Sequence, residues 1–301
     1  MFMDFMRAVG VDLGGHHVAA GLVEGAAIAA RAEERTAPSR EVGAVVAQVA
    51  RLVHSLGASD APVGICVPGS LDAARERGMM IANFEGWNGL PLRKLFEEAL
   101  GCTVVIENDA NAYALGEGCG MRDYVVLTFG TGIGGGVVVG GRLLIGAHGM
   151  AGELGHIVIG REERCGPGCR GLGHFEAICG ADALERAASE KLCQGASVDL
   201  KTLWGRREEP GVSDFWDAAL ENFARGVASL VHVFDPEAIV IGGGVGSGEG
   251  FVDALRDKAY KYISEPFRAT FDLRPSSRGT DAPIFGAASL AWEARGGRSF
   301  P

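Results

Sequence analysis

The sequence predicts an α/β protein made of two related halves, and three observations carry that expectation. Strand-like and helix-like segments alternate along the chain. A strand, glycine turn and strand in "AVGVDLGGHHVAAGLV" return, more than 110 residues later, as "YVVLTFGTGIGGGVVV". The stretch "PVGICVPGS" (62–70) then finds its counterpart in "AIVIGGGVGS" (238–247). The boundary is expected near 120–123, with each half a sheet whose hairpin turns face a common cleft.

The first half opens with strands at 7–13 and 17–23 around the turn Gly14-Gly15. Apolar spacing then fits a helix at 39–56, a strand at 62–67 and a helix at 91–100. "TVVI" (103–106) is strand-like and "NAYALGEG" helix-like, so a second helix is read at 110–118. The second half repeats the opening with strands at 123–129 and 136–145, followed by helices at 180–194 and 213–233. "GRREEPGVS" (205–213) reads as an exposed connection between them. A strand at 238–242 and helices at 250–262 and 285–295 complete the chain.

Composition excludes several classes. The chain has 301 residues, 47% hydrophobic and 22% charged, which suffices for one large domain or two ordinary ones with a sizeable core. The net charge of −10 and the scattered arginines argue against a nucleic-acid surface. "MFMDFMRAVG" carries Asp4 and Arg7 and runs straight into a strand, unlike a signal peptide. No apolar run reaches the roughly 18 residues of a membrane span. Seven cysteines, an odd count without an export signal, point to a reducing cytoplasm, where clustered cysteines hold metal sooner than each other.

Glycine turns between strands leave backbone N–H groups pointing outward, and glycine admits positive φ angles and the close approach of an anion. Gly14 and Gly15 in the first half, and Gly130, Gly132, Gly134, Gly135 and Gly136 in the second, read as paired phosphate loops, with the Thr131 hydroxyl as an added donor. Asp12, ending a buried strand just before such a loop, is placed to hold Mg²⁺ through water beside a nucleotide. In "IENDANA", Asn108 and Asp109 fall at a strand-to-helix turn, where Asp109 is either a helix N-cap or a carboxylate kept for chemistry. Farther on, "GHIVIGREERCGPGCRGLGHFE" sets His156, Cys165, Cys169 and His174 in a pattern H-x8-C-x3-C-x4-H. Four nitrogen and sulfur ligands make a closed, structural Zn²⁺ site, and Gly166-Pro167-Gly168 can fold tightly between the two thiols.

Taken together, "VDLGG" (11–15), "ENDANAYALGE" (107–117), "FGTGIGGGVVV" (129–139) and "GELGHIVI" (152–159) resemble the ROK family of sugar kinases and repressors, over residues 7 to about 292. The resemblance implies the actin-like ATPase fold (ribonuclease H-like), duplicated domains with an interdomain cleft where nucleotide and sugar meet. It implies a small N-terminal domain over 1–121, a larger C-terminal domain over 122–284, and a last helix, 285–297, returning to the first. Asp109 is then the catalytic base for phosphoryl transfer from ATP. Gly69, Ser70, Asn83, Asn108, Glu153, His156 and Glu176 become sugar ligands, with Glu107 structural and Trp87 core. Gly242, Gly243 and Gly244 would lie against the adenosine.

The family's zinc set is normally one histidine and three cysteines. Here the cysteines stand three apart and His174 takes the third cysteine's place, while Glu176 keeps its position two residues on. His156 would give one ring nitrogen to zinc and the other to a sugar hydroxyl. The first phosphate loop departs as well, His16 standing where the family usually has threonine. A histidine can donate a hydrogen bond there, and when protonated adds charge. The expected activity is an ATP-dependent hexose kinase acting on glucose or a related hexose or N-acylhexosamine, with a sugar sensor lacking transfer activity as the alternative. A repressor needs a DNA-reading module, for which a strand starting at residue 7 leaves no room. By analogy the chain is a homodimer or homotetramer.

Overall fold

The computed structural model describes residues 6–118, 120–165 and 169–297. In chain order these form β1 (Arg7–Leu13), β2 (His17–Glu24), β3 (Ala27–Arg35), α1 (Val42–Ser55), β4 (Val63–Val67), β5 (Gly69–Leu71), β6 (Gly78–Ile81), α2 (Leu92–Leu100), β7 (Val104–Asn108) and α3 (Asp109–Glu117). There follow β8 (Tyr124–Phe129), β9 (Ile133–Val139), β10 (Arg142–Leu143), α4 (Phe175–Cys179), α5 (Ala181–Leu192), α6 (Leu200–Gly205) and α7 (Val212–Phe234). The chain closes with β11 (Ala238–Gly242), α8 (Gly243–Gly246), α9 (Phe251–Ala259), α10 (Glu265–Arg268), β12 (Leu273–Pro275) and α11 (Ala282–Ala294). Two compact units divide it: Met1–Gly120, Leu143–Gly152 and Thr280–Pro301 make the first, Met121–Arg142 and Glu153–Gly279 the second.

In unit 1 the five-stranded sheet runs β3-β2-β1-β4-β7. β1 and β2 are antiparallel, whereas β1, β4 and β7 are parallel neighbours. Parallel strands are covered on both faces, and β1 shows how one segment serves two cores. Val9, Val11 and Leu13 join the large cluster with Val45, Val49, Leu52 and Phe96, while Ala8 packs with Ile284, Phe285 and Ala288. The glycines of the strands mark where α11 lands. A Cβ on Gly10 would stand 1.9 Å from the Ile284 carbonyl oxygen, and one on Gly64 1.9 Å from that of Ala287. The same closeness joins α11 to α3, since a Cβ on Gly116 would meet the Ala282 carbonyl oxygen at 1.9 Å. Mid-strand glycine, a cost in isolation, here admits a helix backbone against the sheet.

Unit 2 repeats the plan, its sheet running β10-β9-β8-β11-β12. β8 and β9 form the antiparallel hairpin, and β8, β11 and β12 are parallel neighbours. Position by position, β8, β9 and β11 stand where β1, β2 and β4 stand in unit 1, as the duplicated sequence pattern requires. Its core is aromatic: Phe129, Phe175, Phe223 and Phe251 meet edge to face, and Trp204 and Trp216 extend the cluster. Such pairs add about 0.5–1.5 kcal/mol each beyond the area they bury.

The structure departs from the sequence reading in several places. The strand expected at 136–145 starts at Ile133 and is broken by a turn in which Gly140 and Gly141 take φ of 61° and 77°. Ala27–Arg35, which escaped notice, is a strand because it ladders back onto β2; its alanines and charges have little β-propensity of their own. The connection expected over 205–213 shrinks to 206–211, since α6 holds Gly205 and α7 begins at Val212. The final helix begins at Ala282, with Pro283 tolerated in its first turn.

Candidate active site

Unit 1 gathers its chemistry outside the carboxyl ends of its parallel strands, the usual ligand edge of such sheets. Asp12 on β1 is in register with Cys66 on β4, which is in register with Glu107 on β7. Two strand spacings put Asp12 and the end of β7 roughly 10 Å apart. The Asp12 Oδ1 accepts a hydrogen bond from the Cys66 thiol at 3.4 Å, and burial pushes the carboxyl up to about 6. A buried carboxylate with so weak a donor is poorly stabilised until a cation approaches, which fits the expected Mg²⁺ role. The turn after it is held at both ends: the Gly14 N–H donates to the His17 carbonyl at 2.9 Å, and the Thr36 hydroxyl to the Gly14 carbonyl at 2.7 Å. His16 is exposed, and His17, also exposed, pairs with Glu33 at 3.2 Å.

At the end of β7 the local chemistry separates two roles that the sequence left open. The helix α3 is capped by Asn108, whose Oδ1 accepts from the Asn111 N–H at 2.9 Å. Asp109 is therefore not the N-cap. Its Oδ1 accepts instead from the Ala110 N–H at 2.9 Å and from the Asn108 amide at 3.0 Å. The Asn108 amide also donates to the Gly69 carbonyl at 3.0 Å, so both of its hydrogens have protein partners. Glu107 is buried and accepts from the Asn108 N–H at 2.8 Å, from the Asn111 amide at 3.1 Å and from Arg75 Nε at 2.8 Å. That is the structural part expected of it.

Of the remaining unit 1 candidates, Gly69 has φ of 99°, and a Cβ there would meet the Met80 carbonyl oxygen at 2.0 Å. Ser70 is buried in β5 beside it. Asn83 is exposed, takes a left-handed φ of 66°, and comes up against Gly15, whose added Cβ would stand 3.0 Å from the Asn83 side chain. Trp87 is 1% exposed, packs on Phe84 and donates to the Arg40 carbonyl, a core residue as expected.

The glycines of the two loops do not take the positive φ angles that the sequence suggested. None of Gly14, Gly15, Gly130, Gly132, Gly134, Gly135 or Gly136 lies in the left-handed region. Close approach explains two of them instead: a Cβ on Gly132 would fall 2.0 Å from Glu176 Oε2, and one on Gly135 would strike Leu154 at 2.6 Å. Glu176 holds that turn by accepting from the Ile133 N–H at 3.0 Å. The Gly130 and Thr131 carbonyls cap the first turn of α5, accepting from Ala181 and Asp182. Positive φ is needed at Gly243, at 83°, where β11 turns into α8 and a Cβ would meet the Phe129 carbonyl oxygen at 2.4 Å. Because β8 and β11 are parallel, with Gly242 in register with Thr128, Gly242–Gly244 and Gly130–Thr131 leave the sheet at one edge.

The segments 156–160 and 171–175 fold back on each other. Ile159 and Gly160 N–H groups donate to the Gly173 carbonyl, and Phe175 N–H to that of Ile157. This brings His156, Cys165, Cys169 and His174 together, with one ligand atom from each lying within 4.8 Å of the others. Nδ1 of His156 is 3.1 Å from Nδ1 of His174, which is 3.2 Å from both sulfurs. A tetrahedral ion with the usual Zn–N and Zn–S lengths separates its ligands by roughly 3.3–3.8 Å. Two imidazole nitrogens facing two thiols fit a cation better than each other. Without one, burial and Cys169 push the Cys165 thiol up to about 12. The turn Gly166-Pro167-Gly168 lies outside the described residues. His156 Nε2 faces Glu153 Oε2 at 3.8 Å, and burial, with Glu176 nearby, raises the Glu153 carboxyl although His156 opposes it.

Sequence reasoning missed Cys66 beneath Asp12, Thr36 behind the first loop, and Arg75 behind Glu107. Only Cys66 carried a signal, being a polarisable residue at the end of a buried strand ahead of "PGS".

The chain has relatives over nearly its full length. The family model described as "ROK family" matches residues 8–294. A glucokinase of Thermotoga maritima is 36% identical over 98% of this chain and 100% of its own. An N-acetylmannosamine kinase of Salmonella typhi is 33% identical over 95% and 98%. Among solved structures, a ROK family glucokinase from Streptomyces griseus in complex with glucose and AMPPNP is 30% identical, covers 95% of this chain and 99% of its own, and superposes with a TM-score of 0.82. Two sheets of one plan thus meet a match over nearly the full chain in sequence and in structure: the chain belongs to the ROK family.

Proposed function

We propose that this chain catalyses ATP-dependent phosphorylation of a hexose hydroxyl, with the 6-hydroxyl of glucose as the first candidate. The observation that carries the reading is Asp109: Asn108 caps the helix in its stead, and two N–H donors fix its carboxylate at the ligand edge of the sheet. Two glucokinases at 32–36% identity over nearly the whole chain support glucose, and the N-acetylmannosamine kinase keeps the N-acylated sugars in view.

Transfer needs little covalent work from the protein. Asp109 takes the hydroxyl proton as the oxygen attacks the terminal phosphorus, and ADP leaves in line. Asn108 aims that carboxylate, its two amide hydrogens being held by Gly69 and Asp109. Gly69, Ser70, Asn83, Glu153, His156 and Glu176 offer the sugar contacts. Gly14, Gly15, His16, Gly130, Thr131, Gly132 and Gly134 serve the phosphates, and Gly242–Gly244 the adenosine. Mg²⁺, held through water by Asp12, would screen the phosphate charge. Zn²⁺ would be held by His156, Cys165, Cys169 and His174 and would fix the His156 ring, leaving Nε2 and Glu153 to face the sugar.

The finer placement of the boundary at 121/122 is part of the same reading, as is a homodimer or homotetramer, which sedimentation equilibrium tests. A cytoplasmic location belongs to the same reading; no helix among the described residues is long and apolar enough to cross a membrane. The activity is tested by a coupled assay of ADP release with ATP and a panel of glucose, mannose, N-acetylglucosamine, N-acetylmannosamine and fructose. ADP release that depends on one of these sugars is the expected result. Sugar binding without ADP release would leave a sensor in place of a kinase.

A further inference from the structure

We propose that Arg75 is a positioning residue for the base: it fixes Asp109 through Glu107 and Asn108, and the same guanidinium clasps the segment that leads to Glu153. The proposal rests on the reading of Asp109 as the base and goes beyond it. Arg75 sits in the turn between β5 and β6, a part of the chain that no motif singles out.

The geometry is that of a relay. Arg75 Nε donates to Glu107 Oε2 at 2.8 Å, and the two side chains are 13% and 5% exposed. Glu107 Oε1 takes the Asn108 N–H and the Asn111 side-chain amide. Asn108 in turn donates to Asp109 Oδ1. Glu107 thus braces the backbone of Asn108 at the strand end, and the Asn108 side chain holds Asp109 from there. Without Arg75, Glu107 would keep a buried negative charge two residues from the base, paired only by neutral donors.

The other arm of the guanidinium reaches elsewhere. Nη1 donates to the Gly149 carbonyl at 2.8 Å and to that of Asp72 at 3.3 Å. Gly149 belongs to the segment 143–152 of unit 1, and its own packing is close: a Cβ there would lie 2.9 Å from Ala73 and from Arg75 Nη1. Arg75 takes a left-handed φ of 56°, and the Asp72 carboxylate braces the turn by accepting from the Glu76 N–H at 2.7 Å and the Arg77 N–H at 3.1 Å. A turn held in this unfavourable conformation has a side chain to aim. A planar fork can meet a carboxylate and a carbonyl from one position, whereas an ammonium is a single point.

The test compares Arg75→Gln, Arg75→Lys, Glu107→Gln and the double variant Arg75→Gln/Glu107→Gln, with Asp109→Asn as reference. For each, kcat, the sugar and ATP KM values and the melting temperature are measured. Arg75→Gln should lower kcat roughly ten- to hundredfold, the scale of a misplaced catalytic group, with the ATP KM little changed. Arg75→Lys should recover part of that loss. In the double variant the losses should not multiply, because both act through one relay. If Arg75→Gln does not fold, Arg75→Lys and Glu107→Gln carry the same comparison. Wild-type kcat in Arg75→Gln, or losses that multiply in the double variant, would overturn the proposal. Wild-type kcat in Arg75→Gln beside an inactive Asp109→Asn leaves the base intact and removes only Arg75. An active Asp109→Asn removes both.

Discussion

Replacing Asp12 by Asn should make the nucleotide-free protein more stable and the enzyme far less active. Burial raises the Asp12 carboxyl from 3.8 to about 6. A raised pKa means that the folded protein prefers the neutral acid. The associated stability is fully present below pH 3.8 and is lost as the pH climbs through 6. Two pKa units correspond to about 3 kcal/mol at 1.36 kcal/mol per unit, so at pH 8 the ionised carboxylate costs the fold something of that order. Asparagine keeps the shape and the acceptor for the Cys66 thiol while removing the charge. Urea unfolding of both proteins without nucleotide, at pH 8 and at pH 4, measures the effect. The variant should gain about 1–3 kcal/mol at pH 8 and nothing at pH 4, and its turnover should collapse if, as proposed, Asp12 is the Mg²⁺ partner. A variant no more stable than wild type at pH 8, or equally stabilised at both pH values, refutes the reasoning. The trade is one that binding sites commonly make between stability and function.

Gly10→Ala should fail to reach wild-type stability by more than about 3 kcal/mol, beyond the usual cost of overpacking, since its Cβ meets main chain and not a movable side chain; the urea midpoint of unit 1 reads it. Gly132→Ala sets a methyl against the Glu176 carboxylate and should raise the sugar KM several-fold while the protein stays folded, as steady-state kinetics would show. Metal analysis of the purified protein should give one zinc per chain, and His174→Ala should lose it together with sugar affinity; a zinc-free protein with full activity would contradict the assigned role.

The doubled architecture was legible because hairpin, glycine turn and parallel strand repeat in the sequence in the same order, and the two sheets repeat it strand for strand. Asp12, Asp109 and the four metal-ligand candidates were legible for a related reason, each standing at a chain position where its side chain has no packing to do. β3 was not, because an edge strand of alanines and charges is made by its partner's ladder and not by its own preference. The glycines of "FGTGIGGG" stood out in the sequence, but positive φ is not their cause: Gly132 and Gly135 make room for the side chains of Glu176 and Leu154, which come from far along the chain. Arg75 left no trace at all, since one arginine in a turn gains its meaning only from the carboxylate that folding brings to it.

The central claim is that the Asp109 carboxylate removes the proton from the sugar hydroxyl as it attacks. The most direct measurement sets turnover beside calorimetric sugar affinity for Asp109→Asn, a change that leaves an acceptor for the Asn108 hydrogen bond and removes the basicity. Turnover lower by roughly 10²–10⁴-fold, with sugar Kd near that of wild type, is the predicted result. Turnover close to wild type in a variant that still binds sugar would contradict it.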